Sequence, residues 1–218
     1  MVMPTLVVVP APVGKFVDAS VKLTPTLLDA LANRGYLGIV RYVPLPGVDP
    51  RADIDAEELE MILAHPARFC AGWVQHPRFP GWRPREHDPE ADAQCAVRFA
   101  RAAGFPSGVH GGNDAEGMSA DTTAAEAHLY NCRFAHVVVE EGYRGRLYDG
   151  YSEPETPEEL YEIPDVTSYW SDAANRRVAK RGCAMVQGPQ FELLGVAFDP
   201  DEVRPDLLGE TPMVVRAA

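Results

Sequence analysis

Short apolar runs alternate along the chain with amphipathic segments that carry helix start and stop signals. Thr24 precedes Pro25 at the head of one such segment, and Gly35 follows its last turn. Asp88 and Pro89 open another segment in the same way. A hydroxyl or carboxyl side chain before a helix, proline in its first turn and glycine after its end are typical helix boundaries. Helices that alternate with short strands favour an α/β fold with a parallel sheet.

The pattern predicts four long helices and eight strands. The helices are Thr24–Arg34, Ala56–Ala64, Pro89–Ala103 and Thr122–Glu141. The strands are Lys15–Ala19, Leu37–Tyr42, Phe69–Gln75, Ser107–Gly111, Gly145–Asp149, Val166–Trp170, Ala184–Gln187 and Gly195–Phe198. Eight strands in 218 residues fit a (β/α)8 barrel of the TIM type, with incomplete helices in the second half. An open, doubly wound sheet is the alternative architecture.

The chain is expected to form one domain. No low-complexity tract marks a linker, and two proline-rich stretches, Pro77–Pro89 and Ser152–Pro164, are typical of long surface loops. We therefore predict a single barrel domain over residues 1–218, with its core between about residues 14 and 209.

The net charge of the chain limits the classes of partner that it is expected to bind. With a formal net charge of −12, the chain is not expected to bind nucleic acid or a membrane surface, because both need clustered Lys and Arg. The first residues lack the basic region of a signal peptide. Synthesis in the cytoplasm is expected, followed by incorporation into a virion or injection device or by non-classical export. The four cysteines form no CxxC pair and are expected to be buried free thiols.

Acidic residues follow several predicted strands, at the end of a barrel where catalysis takes place. They are Asp18, Asp114, Glu116, Asp149 and Asp199. On an extended strand Asp114 and Glu116 would face the same way, roughly 6.6 Å apart along the chain. Glycosidic cleavage uses such a carboxyl pair, and mutual repulsion raises one pKa so that one group stays protonated. A solvated loop after Gly111 is the alternative interpretation.

Other residue types give weaker predictions. Trp73, Trp170 and Tyr148 lie at strand ends and are candidates for stacking on a sugar, although core packing is the alternative. The histidines show no metal-ligand spacing, so no metal is expected unless His76 and His110 meet Asp114 at the barrel mouth. No glycine-rich nucleotide motif follows a strand, so no cofactor is expected.

Several segments, in order, resemble a known bacterial family. They are GKFVDAS, ADAQCAVRFARAAGFPSGVHGGNDAEGM, EEGYRGRLYDGY, CAMVQ and GVAFDPDEV. They are similar to the glycoside-hydrolase-like domain of unknown function (family 1906), which is related to the family 25 lysozymes. The resemblance implies a modified (β/α)8 barrel and muramidase-type activity.

The resemblance assigns expected roles residue by residue. Asp18 matches the aspartate of the first strand, and Asp114 and Glu116 match a D-x-E pair whose glutamate is the general acid. The tyrosine, glutamine and aspartate of later strands are matched by Tyr148, Gln187 and Asp199. The chain departs from the family at Val186, where a tryptophan is usual, and by two extra residues before Asp199.

Two functions follow as expectations. In the first, the protein hydrolyses a β-1,4 glycan of the peptidoglycan type: Glu116 protonates the leaving oxygen, and Asp114 orients an N-acetyl group or water. Asp18 and Asp199 would tune the charge and bind sugar hydroxyls, with Tyr148, Gln187, Trp73 and Trp170 also in the binding site. In the second, a non-catalytic barrel binds a glycan or forms part of a phage particle or injection device, so its partner is a protein assembly.

Overall fold

The computed structural model describes residues 5–172 and 178–218, which form eleven strands and five α-helices. The strands are β1 Leu6–Pro10, β2 Gly14–Ala19, β3 Gly38–Val43, β4 Cys70–Gln75, β5 His110–Asp114, β6 Arg144–Asp149, β7 Val166–Ser171, β8 Met185–Gln187, β9 Phe191–Leu193, β10 Val196–Val203 and β11 Met213–Ala217. The helices are α1 Pro25–Asn33, α2 Ala56–Ala64, α3 Pro89–Ala103, α4 Ala124–Glu140 and α5 Pro157–Tyr161.

Ten strands form one curled, mixed sheet in the order β1-β11-β4-β3-β2-β10-β8-β7-β6-β5, and β9 pairs with β10. Strands β2, β3 and β4 are parallel to one another, as are β5 to β8. Strand β10 is antiparallel to both neighbours, β2 and β8. Strand β11 is antiparallel to β1 and β4. The architecture is a barrel-like α/β fold.

The predicted elements are largely present. All four predicted helices are found, and each of the eight predicted strand segments overlaps a strand of the sheet. The expectation of an all-parallel sheet is wrong for β10. Only residues 188–195 separate β8 from β10, whereas a parallel crossover needs about a dozen residues or more. The chain therefore turns back through the short strand β9, and β10 runs in the opposite direction.

Side-chain caps fix where the helices begin and end. Thr24 accepts a hydrogen bond from the backbone at the start of α1, and Asp88 accepts two at the start of α3. Thr123 and Glu126 form a reciprocal capping box on α4. Gly104 ends α3 with a φ of 102°, a left-handed conformation that favours glycine. These local interactions explain why the helix boundaries are readable from the sequence.

The two faces of the sheet carry different cores. One face packs against α1–α4, with side chains such as Ile39, Leu59 and Phe134. The opposite face lines the concave interior of the curled sheet, and its apolar side chains come almost entirely from strands. They are Ala11, Phe16, Val40, Tyr42, Cys70, Val74, Tyr148, Trp170, Met185, Val203 and Val214. The alternation of side chains along each strand therefore decides which residues reach the interior.

The cysteines are free, as expected. Cys70, Cys95 and Cys183 are buried, and Cys132 is half-buried. Within residues 5–172 and 178–218, no helix has the length and apolar character needed to cross a membrane.

The two residues at positions 111 and 112 must be glycine, because neighbouring atoms leave no room for a side chain. A side chain at Gly111 would overlap the ring of Trp73, and one at Gly112 would overlap the backbone carbonyl of Arg146 in β6. At Gly72 in β4, by contrast, the nearest atom to an added Cβ is Nη1 of Arg146 at 3.6 Å, an ordinary contact.

We expect Gly112→Ala to lower the free energy of unfolding by roughly 2 kcal/mol or more, because β6 must move to admit the methyl group. Gly72→Ala is the matched control and should change stability by less than about 1 kcal/mol. Urea denaturation followed by circular dichroism measures both. Equal stabilities for the two variants would contradict this account of the glycine pair.

Candidate functional site

Five carboxyl groups meet at the end of the sheet where the parallel strands finish. Asp18 lies near the end of β2 and pairs in register with Asp199 of β10. Asp201 lies two residues further along β10 and therefore on the same face as Asp199. Asp114 ends β5, and Glu116 follows two residues later. We call these five residues the acid cluster, and the end of the barrel where they lie the mouth.

Hydrogen bonds fix the centre of the acid cluster. The Tyr42 hydroxyl donates to Oδ1 of Asp18 at 2.8 Å, and Nε2 of Gln187 donates to Oδ2 of Asp18 at 3.0 Å. The Tyr148 hydroxyl in turn donates to Oε1 of Gln187 at 2.7 Å. Four strands, β2, β3, β6 and β8, thus contribute to one chain of hydrogen bonds across the barrel.

Burial gives the inner carboxyls an unusual protonation state. Burial, helped by the charge of Asp199, raises the pKa of Asp18 to about 7 although its hydrogen bonds act against the shift. Burial, followed by the charges of Glu116 and Asp18, raises the pKa of Asp114 well above its usual range. The pKa of Asp201 is raised in the same way by burial and by Asp18. Desolvation penalises the charged form, so burial favours the protonated form of all three groups.

Glu116 is the member of the D-x-E pair that reaches solvent. It is half-exposed, and burial together with the charges of Asp199 and Asp172 raises its pKa. Its backbone N–H donates to Oδ1 of Asp114 at 3.1 Å, and the Trp82 indole N–H donates to its carbonyl at 2.8 Å. The residue is therefore held on both sides while its carboxyl faces the mouth.

Asp199 is the second half-exposed carboxyl of the acid cluster. Burial raises its pKa, and Nε2 of Gln190 donates to its Oδ1 at 3.3 Å. Because its burial is partial, Asp199 loses its proton more readily than Asp114, which is fully enclosed. The mouth thus combines two partly exposed carboxyls, Glu116 and Asp199, with three buried carboxyls whose pKa values are raised.

The predicted aromatic residues divide between the two faces of the sheet. Tyr148 and Trp170 lie in the interior, with ring centroids 4.6 Å apart and rings inclined at 57°. They lie level with Asp114, which pairs in register with Tyr148, and Trp170 lies beside Asp201. Trp73 lies on the helix side, fully buried and packed edge-on against Tyr143 at 5.3 Å. The structure therefore places Trp73 outside the site.

Asp149 lies on the helix side of the sheet and does not face the mouth. It is fully buried, and its charge helps to raise the pKa of Glu153, after the larger effects of burial and of Glu155. Asn131 of α4 donates to Oε2 of Glu155 at 2.7 Å. These carboxyls form a second group, between the sheet and α4.

The histidines do not form a metal site with Asp114. Nδ1 of His110 accepts the backbone N–H of Met213 at 2.7 Å, and its Nε2 contacts the Thr167 hydroxyl at 2.9 Å. His110 begins β5, whereas Asp114 ends it, so the two lie at opposite ends of one strand. In the described part of the chain, no group of three or more His, Cys, Asp or Glu is arranged to hold a metal ion.

Three residues of the site were missed at the level of sequence. Asp172 directly follows β7, which extends one residue beyond its predicted end. Asp201 lies within β10, which extends past the predicted boundary at Phe198. Tyr42 ends a predicted strand, and nothing in the sequence pattern indicates that its hydroxyl donates to Asp18. A two-residue period continued through Asp199 would have identified Asp201.

Trp82 and Tyr151 flank Glu116 at the rim. Trp82 is buried beside the Glu116 backbone, and the Tyr151 carbonyl accepts the N–H of Gly117 at 2.9 Å. Tyr151 is itself exposed to solvent over 49% of its surface. Neither ring excludes solvent from Glu116 and Asp199, which both remain half-exposed.

Comparisons with known proteins support the fold. No protein-family model and no curated protein matches the chain. A crystal structure of an uncharacterized B. stearothermophilus protein superposes with a TM-score of 0.65 at 16% identity, covering 89% of this chain and 97% of that one.

The Tat-secreted protein Rv2525c of Mycobacterium tuberculosis is also similar. Its complex with HEPES gives a TM-score of 0.63 at 11% identity, over 88% of this chain and 95% of that chain. Its complex with L-tartrate gives 0.63 at 13% identity, over 88% and 96%. At these identities the similarity shows a shared fold.

The raised pKa of Asp18 predicts that the protein becomes less stable as the pH rises. A carboxyl that holds its proton more tightly when folded stabilises the fold fully below its unfolded pKa, near 3.9. That stabilisation is lost as the pH rises through the folded pKa of about 7. We expect the melting temperature to fall between pH 5 and pH 8.

Asp18→Asn should reduce this fall, because the amide does not ionise. The ionisation of Asp18 should change the free energy of unfolding by roughly 2–4 kcal/mol across this pH range. The exposed Glu192→Gln is the control and should keep the wild-type profile. Thermal melts at several pH values test both variants. Identical profiles for Asp18→Asn and wild type would show that Asp18 is ionised in the folded protein throughout this range.

Proposed function

We propose that this protein is a glycoside hydrolase that cleaves a β-1,4 glycan of the peptidoglycan type. The observation that supports it is the convergence of five carboxyls with raised pKa values at the end of the sheet where the parallel strands finish. Two of them, Glu116 and Asp199, are partly exposed to solvent. That end of a barrel-like α/β sheet is where such folds place catalysis.

Glu116 is suited to be the general acid. Cleavage of a glycosidic bond requires a proton for the departing oxygen, and the raised pKa of Glu116 keeps that proton available at mildly acidic pH. Asp199, which ionises more readily than the enclosed acids, supplies negative charge opposite the positive charge that develops on the sugar ring.

The buried members of the acid cluster position the substrate. Asp114, kept neutral by burial, carries a proton with which it orients an acetamido group or a water molecule. Gln187 is half-exposed and held by Tyr148 and Asp18, so its amide presents a fixed edge for sugar hydroxyls. In this proposal the eight strands β2 to β8 and β10 constitute a modified (β/α)8 barrel whose last strand is reversed.

A non-catalytic glycan-binding barrel is the second candidate. The observation that favours it is the burial of Asp114, which leaves the D-x-E pair with one accessible carboxyl, that of Glu116, instead of two. Such a protein would bind purified peptidoglycan in a sedimentation assay and release no reducing ends from it.

Glu116→Gln should reduce hydrolysis by at least about 100-fold, because the amide cannot donate the acidic proton. The assay is the clearing of a peptidoglycan suspension, with new reducing ends quantified in the supernatant. Glu192→Gln, an exposed substitution on β9, is the matched control and should retain full activity. Equal activity in wild type and Glu116→Gln, or none in either, rules out the proposed role.

The pH profile provides an independent test of the Glu116–Asp199 interaction. The negative charge of Asp199 helps to raise the pKa of Glu116, after the larger effect of burial. Asp199→Asn removes that charge, so the pKa of Glu116 falls and the alkaline limb of kcat moves to lower pH. A limb that stays in place or moves to higher pH would show that another group sets it.

A further inference from the structure

Gly150, the first residue after β6, lies directly against the side chain of Glu116. A Cβ atom added at Gly150 would come within 2.4 Å of the Cβ of Glu116 and 2.7 Å of Cε1 of Tyr148. It would also lie 3.0 Å from Oε2 of Glu116. Carbon atoms in favourable contact are about 3.5–4.0 Å apart, so a methyl group at this position overlaps the acid. The lack of a side chain at Gly150 therefore leaves the space that the Glu116 side chain occupies.

The backbone on both sides of Glu116 is hydrogen-bonded to the chain that leaves β6. The N–H of Ala115 donates to the carbonyl of Tyr148 at 3.2 Å. The N–H of Gly117 donates to the carbonyl of Tyr151 at 2.9 Å. A Cβ atom moves only with its own backbone, so rotation of the end of the Glu116 side chain does not remove the overlap at its Cβ. A larger residue after β6 would therefore displace the backbone that carries the acid.

The contact with Gly150 also accounts for the environment of the Glu116 carboxyl. Tyr148, whose own side chain is buried, lies on the same side of this contact. Burial is the largest cause of the raised pKa of Glu116, ahead of the charges of Asp199 and Asp172. A carboxyl that is displaced from this position toward solvent loses part of its burial, and its pKa falls.

A second glycine at the mouth has room for a side chain. Gly188 directly follows Gln187 of β8, and a Cβ atom added there would lie 3.4 Å from Cγ of Pro200, an ordinary contact. Neither Gly150 nor Gly188 has a φ in the left-handed region that favours glycine. Alanine is therefore compatible with the backbone at both positions, and the two substitutions differ in the atoms that the new methyl group meets.

We propose that Gly150 is a positioning residue for the proposed general acid: because it carries no side chain, it admits the Glu116 carboxyl to a half-buried position against Tyr148. This inference rests on the proposed function, since the enclosed position matters for a carboxyl that must keep a proton until it donates it. A side chain at position 150 moves Glu116 away from β6 and toward solvent.

Gly150→Ala tests the inference through the protonation of Glu116, with no substrate present. The side-chain carboxyl signals of protein labelled with ¹³C-glutamate are followed during a pH titration, and the Glu116 signal is the one absent from Glu116→Gln. In wild type its midpoint should lie above the ordinary pKa of glutamate, about 4.3. In Gly150→Ala the midpoint should move toward that ordinary value, whereas the matched control Gly188→Ala should leave it unchanged.

A double-mutant cycle keeps the inference testable if Gly150→Ala is unstable. Glu116→Gly removes the Cβ atom that the new methyl group would meet. The fall in melting temperature caused by Gly150→Ala should therefore be at least about halved in the Glu116→Gly background, with the contact to Tyr148 causing the remainder. An equal fall in both backgrounds, or loss of folding in both, contradicts the inference.

A Glu116 midpoint that stays in place or rises in Gly150→Ala also overturns the inference. The peptidoglycan assay separates this failure from failure of the proposed function. If wild type and Gly150→Ala both lyse peptidoglycan with the same alkaline limb of kcat, the hydrolase stands and Gly150 has no positioning role. If the Glu116 midpoint falls in Gly150→Ala but wild type does not lyse peptidoglycan, Gly150 positions the carboxyl and the hydrolase assignment is removed.

Discussion

The direction of β10 determines the composition of the acid cluster. In a strand that is parallel to its neighbours, only the last residues lie at the mouth. Strand β10 is antiparallel to β2 and β8, so it starts at the mouth and descends into the barrel. Asp199 therefore pairs with Asp18 near the rim, and Asp201 follows it on the same face one step deeper. The short connection after β8, which leaves no room for a helix, is thus the reason why two further carboxyls join the site.

Gathering these carboxyls in a low-dielectric interior opposes folding unless they are neutralised. Burial raises the pKa values of Asp18, Asp114 and Asp201, which favours their neutral forms, and hydrogen bonds from Tyr42 and Gln187 satisfy the oxygens of Asp18. Arg146 contributes a positive charge near Asp201, although burial lowers the pKa of its own guanidinium to about 10. Burial is the main cause of the raised pKa values in this site, and the charges of neighbouring carboxyls add to it.

The sequence predicts what is locally encoded. Helix ends follow from caps at Thr24, Asp88 and Thr123, each of which bonds to the next turn. The D-x-E pair is a predictable candidate site because the strand ends of a barrel converge. The direction of β10 was not predictable from periodicity, since an alternating strand has the same pattern in either direction.

Register explains the error at Trp73. Side chains alternate between faces, so Cys70 and Val74 point to the interior while Trp73 points to the helices. A pattern of apolar residues on both faces of a buried strand gives no signal for choosing between them. The strands β1 and β11 were missed for a related reason: each is a short apolar run near one end of the chain, without a helix between it and a neighbour.

The pairing of β1 with β11 has a consequence for how the protein is made. Strand β11 follows all other described strands, yet it lies between β1 and β4 in the sheet, and the N–H of Ala218 donates to the carbonyl of Thr5 at 2.8 Å. On the ribosome, β1 therefore emerges long before β11, and among the described strands it has no partner until β11 follows. Until then the edge of β4 also presents unpaired backbone groups, to which a second nascent chain could add a strand. Emergence of β11, rather than emergence of the helices, is thus the step at which this edge becomes protected.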